Sequence, residues 1–202
     1  MKKIICLLLA LTCVFALFSC ASGGDVDIKS IVENSKPVKV TTMVYFTGAT
    51  PLEGKFINTV DGNKSVFDFE FQRMANISEM EDGRVKTIKG KIYSKDGKVS
   101  FNEGADWESS AVSSVAKYDL QLDERNFDTY EISEDGNSLK ATVGAEGAKA
   151  VLGVDIYATG TVTVEVVTNG AFLNRIIISY KTASADVVVD TSYTYQPVTL
   201  DF

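Results

Sequence analysis

Histidine is absent from the sequence, and its absence removes whole classes of chemistry. Without imidazole there is no Ser–His–Asp or Cys–His nucleophilic pair and no histidine-bearing zinc site. Cysteine is confined to Cys6, Cys13 and Cys20. If cleavage falls before Cys20, one thiol remains, which excludes a disulfide, a thiolate nucleophile deeper in the chain and a cysteine-based metal or iron–sulfur site. Positive charge is in deficit: 20 Lys and Arg stand against 27 Asp and Glu, for a net charge of −7 and a pI near 4.7. Nucleic acid demands a basic surface and is excluded as a partner. Proline is scarce, three in 202 residues, and the hydrophobic fraction is 45%, a globular rather than a disordered composition. These bounds describe one folded domain with no cofactor implied.

The beginning of the chain reads as an address. Met1-Lys2-Lys3 is a short positive segment, and Ile4 to Phe18 is an almost unbroken apolar run of fifteen residues. Such a run is too short to span a hydrocarbon core of roughly 30 Å, and behind two lysines it reads as a secretory signal over residues 1–19. Leu17-Phe18-Ser19-Cys20-Ala21 resembles the bacterial lipoprotein signal, or lipobox. The resemblance implies that Cys20 is diacylated on sulfur, becomes the mature N-terminus and tethers the protein to a membrane through its acyl chains. An ordinary signal peptide with a coincidental cysteine is the alternative. Each buried acyl methylene contributes about 0.8 kcal/mol, so two or three chains make a durable anchor. Loss of Lys2 and Lys3 leaves the remainder more acidic still, so surface charge would not hold it to anionic headgroups. Residues 20–25 then comprise the lipidated cysteine and a short linker, reaching at most about 3.5 Å per residue. The expected location is the cell envelope: the outer membrane where there are two membranes, the outer face of the cytoplasmic membrane where there is one.

Residues 26–202 read as a single domain. Val26, Ile28, Ile31 and Val32 form a partial helical stripe with Asp27 as N-cap, stopped at Lys36-Pro37. A two-residue period then takes over, with Val38, Val40, Thr42, Val44 and Phe46 on one face. Leu52–Val60 and Ser65–Met74 flank Asp61-Gly62-Asn63, a strong hairpin signal. With Gly62 and Asn63 as the loop pair, Phe56 faces Phe69 and Asn58 faces Phe67. Leu52, Phe56, Phe67, Phe69 and Phe71 then share one side. Arg84–Ser94 and Lys98–Phe101 pair around Asp96-Gly97, and Phe127–Ser133 and Ser138–Val143 pair around Glu134–Asn137. Trp107–Leu120 and Ala145–Leu152 carry short helical spacing. Thr161–Val167, Phe172–Lys181 and Asp186–Tyr195 complete two further hairpins. Pairing Tyr180 with Val189 puts Phe172, Ile176, Ile178, Tyr180, Val187, Val189, Tyr193 and Tyr195 on one face; the register of the 161–181 hairpin stays open. The expectation is a mainly antiparallel α+β domain: one large curved sheet or half-barrel of nine or ten strands, sequential neighbours paired, with short helices on the concave side.

No constellation speaks for catalysis. Glu79 with Glu81 and Asp82, Asp106 with Glu108, and Glu134 with Asp135 are acidic pairs beside glycine and serine in turns. Solvation there keeps both members ionised, whereas a glycosidase needs one pKa raised by burial. Trp107, the single tryptophan, either stacks on a sugar ring or packs a helix onto the sheet. Gly144–Ala150 lacks the spacing of a phosphate loop. Asp61-Gly62-Asn63 and Asp135-Gly136-Asn137 lack the twelve-residue pattern of a calcium loop, and no metal site is expected.

Aromatic side chains are in surplus, with eleven Phe and eight Tyr. They either fill a core or line an apolar ligand cavity. The order of elements, from lipobox through short helix, long hairpins and helical inserts to closing hairpins, resembles that of LolA/LppX-type lipoprotein carriers. That resemblance is architectural and spans nearly the whole domain. It implies an unclosed half-barrel with helices as a lid, holding a lipid or acyl chain without catalysis. The candidate ligand-binding residues are Phe56, Phe67, Phe69, Phe71, Phe172, Ile176, Ile178, Tyr180 and Tyr193. The alternative is a structural or protein-interaction lipoprotein with a filled core, engaging an envelope protein partner through an edge strand.

Overall fold

The protein is described from a computed structural model that covers residues 27–76, 84–101, 106, 108–109 and 120–202. The signal segment, Cys20, Trp107, the acidic residues Glu79, Glu81 and Asp82, and most of the helical stretch expected over 107–120 lie outside the described residues.

The chain opens with helix α1 (Ile28–Asn34), whose first turn is capped as its sequence predicts: the Ser30 amide donates to Asp27 Oδ1 at 3.2 Å. Strands β1 (Lys39–Gly48), β2 (Leu52–Asp61), β3 (Lys64–Met74) and β4 (Val85–Lys95) follow. The short strands β5 (Lys98–Ser100) and β6 (Glu108–Ser109) complete this half. After a turn of 3₁₀ helix at Glu124–Asn126 come β7 (Thr129–Ile132), β8 (Ser138–Gly144) and helix α2 (Ala145–Leu152). Strands β9 (Thr161–Thr168), β10 (Leu173–Lys181) and β11 (Ala185–Thr194) close the sequence of elements. The eleven strands of the described residues belong to one open antiparallel sheet, in the order β6-β5-β4-β3-β2-β1-β11-β10-β9-β8-β7.

The hairpins follow their turn chemistry. Asp61 pairs with Lys64 around Gly62-Asn63, which sets Phe56 opposite Phe69 and Asn58 opposite Phe67, the expected register. At the β4–β5 turn Asp96 and Gly97 both take positive φ, 51° and 74°, the pair of angles a type I′ turn needs. Three features depart from expectation. Hairpin order does not anticipate that β1 pairs with β11, which joins two separate meanders into one sheet. Tyr180 lies opposite Val187, and Ile178 opposite Val189. The expected pairing was two residues out of step, and an even slip leaves every side chain on its face. Glu108 and Ser109, placed in a helical stretch by their sequence, instead form an edge strand against β5.

The open β9–β10 register is resolved by a bulge. Leu173 pairs with Thr168 but Arg175 with Val167, so Asn174 is the extra residue and Leu173 and Ile176 both turn inward. The bulge is tied to the rest of the fold: the Leu173 amide donates to Ser35 Oγ at 3.3 Å, and the Tyr195 hydroxyl donates to the Leu173 carbonyl at 2.8 Å. Ser35 Oγ in turn donates to the Ile31 carbonyl at 2.6 Å, fastening the end of α1 to the bulge.

Strict alternation then separates an inner from an outer face. On β9, Val162, Val164 and Val166 are buried while Thr163, Glu165 and Val167 are not. Leu139, Ala141 and Val143 of β8, Ile176 and Ile178 of β10, and Val187 and Val189 of β11 extend this inner face, against which Ile28 of α1 and Ala148, Val151 and Leu152 of α2 pack. The outer face carries exposed charge pairs such as Arg175–Asp190 and Lys140–Glu165. These solvated pairs contribute little to stability.

Ile178, 2% exposed, sits in this packed region. Truncation Ile178→Ala is expected to lower unfolding free energy by about 2–5 kcal/mol in urea denaturation, the cost of an unfilled core site.

Candidate ligand-binding face

The inner face continues from the filled half onto β1–β4, and there its character changes. Register places Thr42 opposite Phe56, Phe56 opposite Phe69, and Phe69 opposite Gly90 on one line across the sheet. The flanking lines carry Gly54, Phe71 and Ile88 on one side and Asn58, Phe67 and Ile92 on the other. Along β3 and β4 this apolar strip runs from Ser65 and Ser94 at one end to Arg73 and Lys86 at the other.

Four phenylalanines on this strip form a closed set. Ring centroids of Phe56 and Phe67 lie 6.2 Å apart with an angle of 10° between planes. Phe56 and Phe71 are 6.2 Å apart, Phe67 and Phe69 5.8 Å, and Phe69 and Phe71 6.2 Å, so each ring has two ring neighbours within the set. Offset and tilted pairs at these distances suit the aromatic quadrupole.

Glycine makes the arrangement possible. A Cβ at Gly90 would stand 2.8 Å from Phe69 Cζ, and one at Gly54 would stand 2.9 Å from Phe56 Cε2 and 3.2 Å from Phe71 Cβ. The rings therefore lean over the bare backbone of their cross-strand and same-strand glycines instead of standing off the sheet. All four remain half-buried, and no residue of β2–β5 belongs to the packed core. Both described helices pack on the other half, α1 on β9 and α2 on β8 and β9.

The nine candidate residues divide into three groups. Phe56, Phe67, Phe69 and Phe71 come together as the ring set. Ile176 and Ile178 are buried in the packed core, and Tyr180 and Tyr193 are half-buried against it. Phe172 lies in the turn before β10, 49% exposed, its ring 4.8 Å from that of Tyr195. These two rings, with Ile31, Asn34 and Lys36, line a separate cleft of about 360 Å³ between the end of α1 and the β9–β10 turn. Periodicity could not reveal the parts played by Gly54 and Gly90, yet isolated glycines inside strand patterns are a signal of close approach.

Two carboxylates among the described residues are held by local hydrogen bonds. Asp135 is exposed at the β7–β8 turn, accepting from Ser133 Oγ at 2.6 Å and from the Asn137 amide at 3.1 Å. These hydrogen bonds, that from Ser133 first, hold its carboxyl below the usual carboxylate range, the opposite of what a general acid needs. Asp123, held low by the guanidinium of Arg125, acts as the N-cap of the 3₁₀ turn. Among the described residues no three His, Cys, Asp or Glu side chains gather to hold a metal ion.

No protein-family model matches the chain, and no curated protein matches it.

Two outcomes are expected. Gly90→Ala displaces the Phe69 ring from the set while changing stability by less than about 1 kcal/mol, because the ring can swing away and the backbone gains stiffness. Altered Phe ring-proton shifts without a matching fall in melting temperature check this. Burial raises the Tyr180 hydroxyl above its ordinary value of 10.0. The unfolded chain therefore ionises first, and stability falls as pH rises through 10 toward the folded-state value. Denaturation midpoints against pH should show a shallower fall in Tyr180→Phe.

Proposed function

We propose that this chain is a lipid-anchored envelope protein that holds a hydrophobic molecule, a lipid or acyl chain, on the inner face of β2–β4 without chemical conversion. The observation that carries the reading is the half-buried set of four phenylalanine rings on a face whose other half is already filled. An apolar ligand laid on those rings leaves water at about 25 cal/mol per Å² buried, and no directed polar contact is needed to hold it. The likeness of the open sheet and its short helices to LolA/LppX-type carriers supports the same reading at the level of architecture. Acylation at Cys20 would keep the protein close to the bilayer that supplies such a ligand. A second reading, an anchored protein that engages an envelope partner, is favoured by the packed core of the β8–β11 half.

The test is native mass spectrometry after mild detergent extraction, with binding of a fluorescent fatty-acid probe measured alongside. Retained lipid is expected, and Phe67→Ala with Phe71→Ala should weaken probe binding by tenfold or more, about the share of two ring faces. A protein that neither retains lipid nor takes up the probe overturns the carrier reading. Co-purification of a protein partner in its place would favour the second. Separately, Cys20→Ser should abolish metabolic labelling with palmitate and release the protein from the membrane fraction.

A further inference from the structure

The segment after β11 has a course of its own. Tyr195 still points to the inner face, where its ring meets Phe172. Beyond it, the segment Gln196–Phe202 brings Leu200 and Phe202 against β2, β3 and β4 on the outer face. Asp61, Lys64 and Tyr93 belong to that outer face by register, since Val60 and Ile92 belong to the inner one.

Each strand it reaches holds it by a different contact. At the end of β2, Asp61 Oδ2 accepts from the Leu200 amide at 3.0 Å. At the start of β3, Lys64 Nζ donates to the Leu200 carbonyl at 2.7 Å and stands 5.4 Å from the centre of the Phe202 ring. On β4, Tyr93 meets Phe202 edge to face, centroids 5.2 Å apart at 81°. Lys64 lies directly opposite Lys95, a like-charge register that is unfavourable across strands, and the Leu200 carbonyl and Phe202 ring draw its ammonium away from that neighbour.

We propose that Gln196–Phe202 is a brace that fixes the aromatic half of the sheet relative to the filled half. The ladders of β1 with β11 and with β2 tie the halves in series, and a sheet joined only through them can twist about them. The segment supplies a second tie on the opposite face from the four rings, so it holds their strands without covering them. The device concerns the fold alone and stands whether or not the rings bind lipid.

Regional amide hydrogen exchange on the full chain in detergent tests it, comparing the unaltered protein with Phe202→Ala and with Lys64→Met. Peptides from β2–β4 should exchange about tenfold faster in either variant, the effect of losing an aromatic pair or a charged hydrogen bond, while peptides from β8–β10 keep their rates. Equal acceleration in both halves, or none in β2–β4, overturns the proposal. Phe202→Ala removes one partly exposed ring, so it decides the matter should Lys64→Met fail to fold.

Discussion

The ladder between β1 and β11 is the contact on which the architecture depends. It runs unbroken from Lys39–Thr194 to Gly48–Ala185 and joins a meander of six strands to one of five. Near its middle Thr42 and Thr191 face each other on the inner side, their hydroxyls 3.0 Å apart. Thr191 is buried, and this partner satisfies a polar group that would otherwise be costly there. The hydroxyl pair also marks a boundary in chemistry. On one side of it the inner face is aliphatic and covered; on the other it is aromatic and partly open.

That division follows from which side chains each half presents. Valine, isoleucine, leucine and alanine on β8–β11 offer a close-fitting surface, and the helices match it with Ala148, Val151 and Leu152. The β2–β4 half presents large flat rings separated by glycine, which cover backbone by leaning sideways. Aliphatic branches of that kind need a second layer above them to be buried, whereas leaning rings shield one another. The aromatic half thus keeps its shape with less covering.

Much of this was legible in the sequence. Asp-Gly and Gly-Asn turns set the hairpins, and the two-residue period assigned Phe56, Phe67, Phe69 and Phe71 to one face in the observed register. The helices at Ile28–Asn34 and Ala145–Leu152 followed from a capping aspartate and from short apolar spacing. What escaped was non-local or irregular. Nothing in a hairpin pattern says that the first strand will pair with the last. The bulge at Asn174 breaks the period locally. A period also cannot tell a packed face from a half-buried one, which is why Ile176 and Ile178 stood beside the phenylalanines as candidates although they are buried in the core.

The same ladder has a consequence for how the fold is reached. Thr42 and Thr191 are separated by 149 positions, whereas the other ladders join neighbouring strands of the chain. Closing so long a loop carries an entropic cost that nearby turns do not, so the two meanders can assemble early and independently while their union waits. Until that union forms, β1 and β11 are both unpaired edges. The union that carries this cost is also the one that hides the two strands most able to pair with a stranger.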